Sequence, residues 1–91
     1  SLESLNLARN DIMEEGTNSI VQGLKSNTTL KTLLMSDNVI CDEGCKALST
    51  IHTLEVLEIR NNCIDEIGLK ILIESIPSSS LKTLDVSLNT V

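Results

Sequence analysis

One frame is written four times along this chain: Leu2-x-x-Leu5-x-Leu7-x-x-Asn10, Leu30-x-x-Leu33-x-Met35-x-x-Asn38, Leu54-x-x-Leu57-x-Ile59-x-x-Asn62 and Leu81-x-x-Leu84-x-Val86-x-x-Asn89. Successive copies begin 28, 24 and 27 residues apart. Self-similarity at such a period marks a stack of coils, each burying its apolar side against the next. Within a copy the apolar residues alternate, as at Leu5 and Leu7 or Leu33 and Met35, which is the period of a half-buried strand. Four short parallel strands are therefore predicted, with Ser4, Asn6, Ala8 and their counterparts pointing away from the core.

Each strand ends in an Asn with an apolar residue two places on: Asn10 with Ile12, Asn38 with Ile40, Asn62 with Ile64, Asn89 with Val91. Where the chain leaves the strand its backbone groups lose their ladder partners, and a buried amide carries the donors and acceptor that replace them. Stacked once per coil, the four amides should form a ladder. That structural role is preferred to ligand contact because buried polar groups must be paired.

Gly16, Gly44 and Gly68 each fall 14 residues after the first Leu of their copy. Apolar residues at helical spacing follow them, Ile20 and Leu24, Leu48 and Ile51, Leu72 and Ile76, so a helix is expected after each turn. Each Gly is read as a place where the helix comes too close to its neighbour for a side chain. The acidic pairs Glu14-Glu15, Asp42-Glu43 and Asp65-Glu66 look like paired catalytic carboxylates. As first-turn residues they instead complement the positive end of the helix dipole. Pro77 marks the end of the third helix, and Ser78, Ser79 and Ser80 lead to the last strand.

At 41% hydrophobic and with no Phe, Tyr or Trp, the core must be aliphatic, and the aromatic anchors common at interface hot spots are missing. A net charge of −6 argues against nucleic acid, whose binders carry a basic stripe, and equally against anionic membranes. No stretch approaches the roughly 20 apolar residues of a membrane span. Cys41, Cys45 and Cys63 fit no disulfide framework and are expected to be ordinary buried thiols of a reducing compartment. Metal binding fails on donor count, there being no C-x-x-C pair, and no cofactor motif is present. His52, the single histidine, is placed in an exposed loop away from any thiol it could activate. Asn27-Thr28-Thr29 fits a glycosylation sequon, read as a coincidence of turn composition.

At these positions the chain resembles the leucine-rich repeats of the ribonuclease-inhibitor type, whose unit is a Leu-x-x-Leu-x-Leu-x-x-Asn strand and turn followed by a Gly-bearing helix. The resemblance covers all four copies. The departures are a second repeat shortened to 24 residues and Met35, Ile59 and Val86 in place of one Leu. It implies an α/β fold, a right-handed leucine-rich repeat horseshoe solenoid with parallel strands on the concave face and helices on the convex face. Residues 1–91 would be a single partial array with repeats starting at 2, 30, 54 and 81, the last incomplete, uncapped at both ends and continued by missing repeats. Members of the class include enzyme inhibitors, activators of a nuclear-transport GTPase, actin-capping proteins, innate-immune sensors and ciliary subunits. Protein binding is their shared chemistry, and fold alone does not choose among them.

In-register stacking would line up outward rows across the concave face: Ser4, Thr32, Val56, Thr83; then Asn6, Leu34, Glu58, Asp85; then Ala8, Ser36, Arg60, Ser87. Asn6, Thr32, Leu34, Ser36, Val56, Glu58, Arg60 and Asp85 are the candidate partner-binding residues there, with Glu58 beside Asp85 as an acidic spot near Arg60. At 100° per residue, Leu69, Leu72 and Ile76 of the third helix face inward and Ile67 and Ile71 fall opposite, a candidate convex contact. The expectation is a non-catalytic interaction module, a scaffold or assembly segment of a larger cytoplasmic complex, cytoskeletal or ciliary settings included. The alternative is an enzyme regulator, a GTPase-activating or inhibitor protein. A direct enzyme ranks last because no acid, base and nucleophile converge.

Overall fold

The computed structural model describes residues 2–90. Strand and helix alternate through β1 (Ser4–Asn6), α1 (Glu14–Leu24), β2 (Thr32–Leu34), α2 (Cys41–Leu48), β3 (Val56–Glu58), α3 (Glu66–Ser75) and β4 (Thr83–Asp85), with a 3-10 turn at Ile76–Ser78 after α3. The strands form one parallel sheet in sequence order, in a register that puts Leu5, Leu33, Leu57 and Leu84 in one row. Each helix returns the chain from the end of one strand to the start of the next, as a parallel pair requires. Helices lie side by side on the other face, α1 against α2 and α2 against α3. The result is an α/β solenoid of four coils.

The alternating Leu, Met, Ile and Val residues build a column between sheet and helices. Leu30, Leu33, Met35, Ile40, Cys45, Leu48, Leu54, Leu57, Ile59, Ile64 and Leu72 are buried in it, with Val21 of α1. The short second repeat is accommodated in its helix, since α2 has eight residues against eleven in α1 and ten in α3.

The asparagine ladder is formed between coils. Asn38 and Asn62 are buried, and the Asn62 amide donates to the Met35 carbonyl of the preceding coil at 2.9 Å and to Arg60 O at 3.0 Å. Its Oδ1 accepts from Ile40 N at 3.3 Å. Asn38 repeats the pattern against Leu7 O, Asn10 N and Ile12 N, and Asn89 against Ile59 O, Asn62 N and Ile64 N. Asn10 is exposed and bonds only within its own turn, to Leu7 O and Ala8 O. The expected partner of Asn89, Val91, lies outside the described residues.

Several local expectations need correction. Close approach to the neighbouring helix applies strictly at Gly68, where an added Cβ would meet Asp42 Oδ1 at 2.6 Å and Cys45 Sγ at 3.2 Å. At Gly44 the obstruction is Ile40 Cβ of its own coil, at 2.6 Å, and at Gly16 it is Ile12 Cγ2 at 3.1 Å. Asp65 is the N-cap of α3, accepting from Ile67 N, and not a first-turn residue. Ile76 is exposed, not inward, because the helix gives way there to the turn led by Pro77. Cys45 alone of the three cysteines is buried; Cys41 is half-buried and Cys63 exposed. Asn27 holds its own loop, its Oδ1 accepting from Thr29 N, Thr29 Oγ1 and Leu30 N.

Every turn also uses a left-handed residue directly before its Asn: Arg9, Asp37, Asn61 and Leu88, with φ of 62°, 59°, 51° and 60°. Asn and Asp tolerate that region, whereas Arg and Leu are held there by the coil around them.

Candidate protein-binding face

The register of the sheet determines which outward side chains share a row. Ser4 pairs with Thr32, Thr32 with Val56 and Val56 with Thr83; Asn6 pairs with Leu34, Leu34 with Glu58 and Glu58 with Asp85. The structure thus brings Asn6, Leu34, Glu58 and Asp85 into one row and Thr32 and Val56 into the row beside it. The third row continues past the strands through backbone bonds from Arg9 N to Ser36 O and from Asp37 N to Arg60 O.

Across the turn end of this face runs a trough of about 720 Å³, lined by Asn6, Ala8, Arg9, Ser36, Asp37, Glu58, Arg60 and Leu88. Its rim is a chain of paired charges. Arg9 Nε lies 3.7 Å from Asp37 Oδ2, and the Asn61 amide donates to Asp37 Oδ1 at 3.0 Å. Arg60 Nε donates to Ser87 Oγ at 2.9 Å and lies 3.7 Å from Asp85 Oδ2. Asp85 Oδ1 accepts from Ser87 Oγ at 2.7 Å and Ser87 N at 3.1 Å. These Ser87 bonds, and then the Arg60 charge, hold the Asp85 carboxyl below the usual carboxylate range. The acidic spot expected at Glu58 and Asp85 is accordingly divided. Asp85 is engaged by its own turn, while Glu58 makes no ion pair among the described residues.

Arg9, Asp37 and Leu88 were not among the residues named from sequence. Their signal was the position before each Asn, where the left-handed backbone swings the side chain up beside the strand face. Leu88 is 71% exposed there.

On the helix face, Ile67 is 62% exposed and Ile71 is half-buried, so the two do not form one open patch. Ile73 of the same helix is exposed as well, which the wheel left out. Position Gly68+1, Leu69, corresponds to Thr17 and Cys45, both fully buried against the glycine of the following coil. His52 is exposed as expected, although its Nδ1 lies 2.9 Å from Ser78 O and ties two neighbouring loops. Among the described residues no group of three His, Cys, Asp or Glu side chains is placed to hold a metal ion, and no helix is long and apolar enough to cross a membrane.

Known proteins share this pattern. The Leucine Rich repeat family matches residues 1–17, 26–49 and 50–72. A NACHT, LRR and PYD domains-containing protein 13 of Homo sapiens is 31% identical over 96% of the chain and 9% of its own length. Ribonuclease inhibitors of Mus musculus and Sus scrofa are 30% and 29% identical over 92% and 91% of the chain. The chain spans 20% of the length of either inhibitor. Frame, turn asparagines, parallel sheet and these matches agree: the chain belongs to the leucine-rich repeat family, in its ribonuclease-inhibitor type.

Proposed function

We propose that the chain is a non-catalytic protein-binding segment whose strand face receives the partner, within a cytoplasmic scaffold or assembly protein. The observation that carries this is the trough, which runs over all four coils and offers the unengaged Glu58 carboxylate between two anchored arginine pairs. Extended faces of this kind are the usual binding surfaces of solenoids. The test is affinity capture with the full-length protein, followed by binding of the captured partner to a Glu58→Lys, Arg60→Glu variant. Glu58 is half-buried without an ion pair and Arg60 is exposed, so the change should cost the fold no more than about 1 kcal/mol, while affinity should fall at least about tenfold. Unchanged affinity would move the contact off this face.

A second reading, regulation of an enzyme, is favoured by the likeness to ribonuclease inhibitors. It predicts that the captured partner is an enzyme whose turnover changes when the complex forms; a scaffold leaves turnover untouched.

A further inference from the structure

The second and third coils differ in how they enter their helices. The third uses a left-handed residue just after its Asn, Cys63, at φ 59°; the second delays that residue to Cys41, at φ 53°, the first residue of α2. This delay brings Cys41 beside the third coil's turn, and its N–H donates to the carbonyl of Asn62 at 3.1 Å. The bond sets the Cys41 N–H against the peptide that joins Asn62 to Cys63, so the two cysteine Cα atoms lie within about 7 Å of one another. A disulfide spans Cα separations of roughly 4.4–6.8 Å.

The two sulfurs are also the reachable ones. Cys63 is exposed and Cys41 half-buried, whereas Cys45 is closed off in the core. Burial raises the Cys41 thiol above its ordinary range, and the charge of Cys63 is the next cause. The exposed partner, Cys63, is thus the sulfur that meets a solute first.

We propose that Cys41 and Cys63 form a dithiol site that a small oxidant of the peroxide class closes into an intramolecular disulfide. The Cys63 thiolate attacks one peroxide oxygen; the O–O bond breaks, a sulfenic acid forms and the departing hydroxide is protonated to water. The Cys41 sulfur then attacks the Cys63 sulfur, the S–S bond forms, the S–O bond breaks, and the second hydroxide leaves as water with the proton that Cys41 gives up. Two thiols lose two electrons and one peroxide gains them. The bond would tie the second coil to the third where α2 and α3 begin. Neither cysteine lines the trough, so this inference does not rest on the partner-binding proposal.

The experiment uses reduced full-length protein treated with hydrogen peroxide, alkylated under native conditions, denatured, alkylated with a second reagent and digested with trypsin. The expected product joins the peptide of residues 32–46 to that of residues 61–70, at a yield independent of protein concentration, and dithiothreitol reverses it. Cys41→Ser and Cys63→Ser should each abolish the link, and Cys45→Ser should leave it unchanged. Loss of the link in Cys45→Ser, a link found only between copies, or Cys63 carried to sulfinic acid with Cys41 still alkylated would each overturn the proposal.

Discussion

Asn62 is fully buried and bonds the preceding coil through Met35 O and Ile40 N, and its replacement should show it. In Asn62→Ala the Ile40 N–H loses its partner, while Met35 O keeps the Asn38 amide and Arg60 O keeps Asp37 N. With about 1–3 kcal/mol for a buried group left unpaired, a loss in that range is expected as a lower urea midpoint at unchanged slope. Asn10→Ala, at an exposed residue bonded only to its own turn, should cost under about 1 kcal/mol. Equal effects would deny the column its role. Cys45 makes a second prediction at this scale. Burial first, and then the Asp42 charge, push its thiol up to about 12. The folded thiol therefore stays protonated where the unfolded one ionises, so its contribution is complete below about pH 8.5, the ordinary thiol value, and is lost as pH rises toward 12. Stability should fall over that alkaline window, and less so in Cys45→Ala. Single residues were unevenly legible. The apolar frame fixes the phase of each coil, so the asparagines could be read from spacing alone. The left-handed Arg9 and Leu88 could not, because nothing in an Arg or Leu side chain favours that backbone; the surrounding turn imposes it.

Among the helices, two glycines make opposite predictions. Gly23 in α1 has open space where a Cβ would go, and Ala is the better helix former, so Gly23→Ala should raise stability by up to about 1 kcal/mol. Gly68→Ala drives a methyl into Asp42 Oδ1 and should lower it by about 1–3 kcal/mol. A calorimetric scan of both variants checks the signs. The Asp42 carboxylate is there for a reason visible only in three dimensions: it reaches out of α2 to accept from Gly68 N at 3.1 Å and Asp65 N at 3.3 Å, capping the next helix. Asp65, bonded to Asp42 and to Ile67 N, is held below the usual carboxylate range. A depressed carboxylate stabilises above its unfolded value and ceases to as pH falls. Destabilisation should begin below about pH 4, the ordinary Asp range, and Asp65→Asn should blunt it. Sequence showed that the acids belong at helix starts; it did not show that one coil's acid serves another coil's helix, since that link crosses 26 residues.

At the scale of the molecule, strand order and register followed from the repeat, because a one-residue slip would turn every core Leu outward. The rows of the strand face were legible for the same reason. What escaped was the trough's rim, which depends on turn backbone, and the true outline of the helix face, which depends on what each neighbour covers. If Ile67 and Ile71 nevertheless meet a partner, Glu at both positions should weaken its capture without unfolding the protein; unimpaired capture leaves the strand face as the contact. The ladder has one more implication. The Asn38, Asn62 and Asn89 amides each donate to the coil before, and their oxygens accept from that same coil. Damage should therefore travel one way: in Asn62→Ala, amide hydrogen exchange should quicken through α2 upstream and spare α3 downstream, making the stack vectorial, with every storey hung from the one that follows it in the chain.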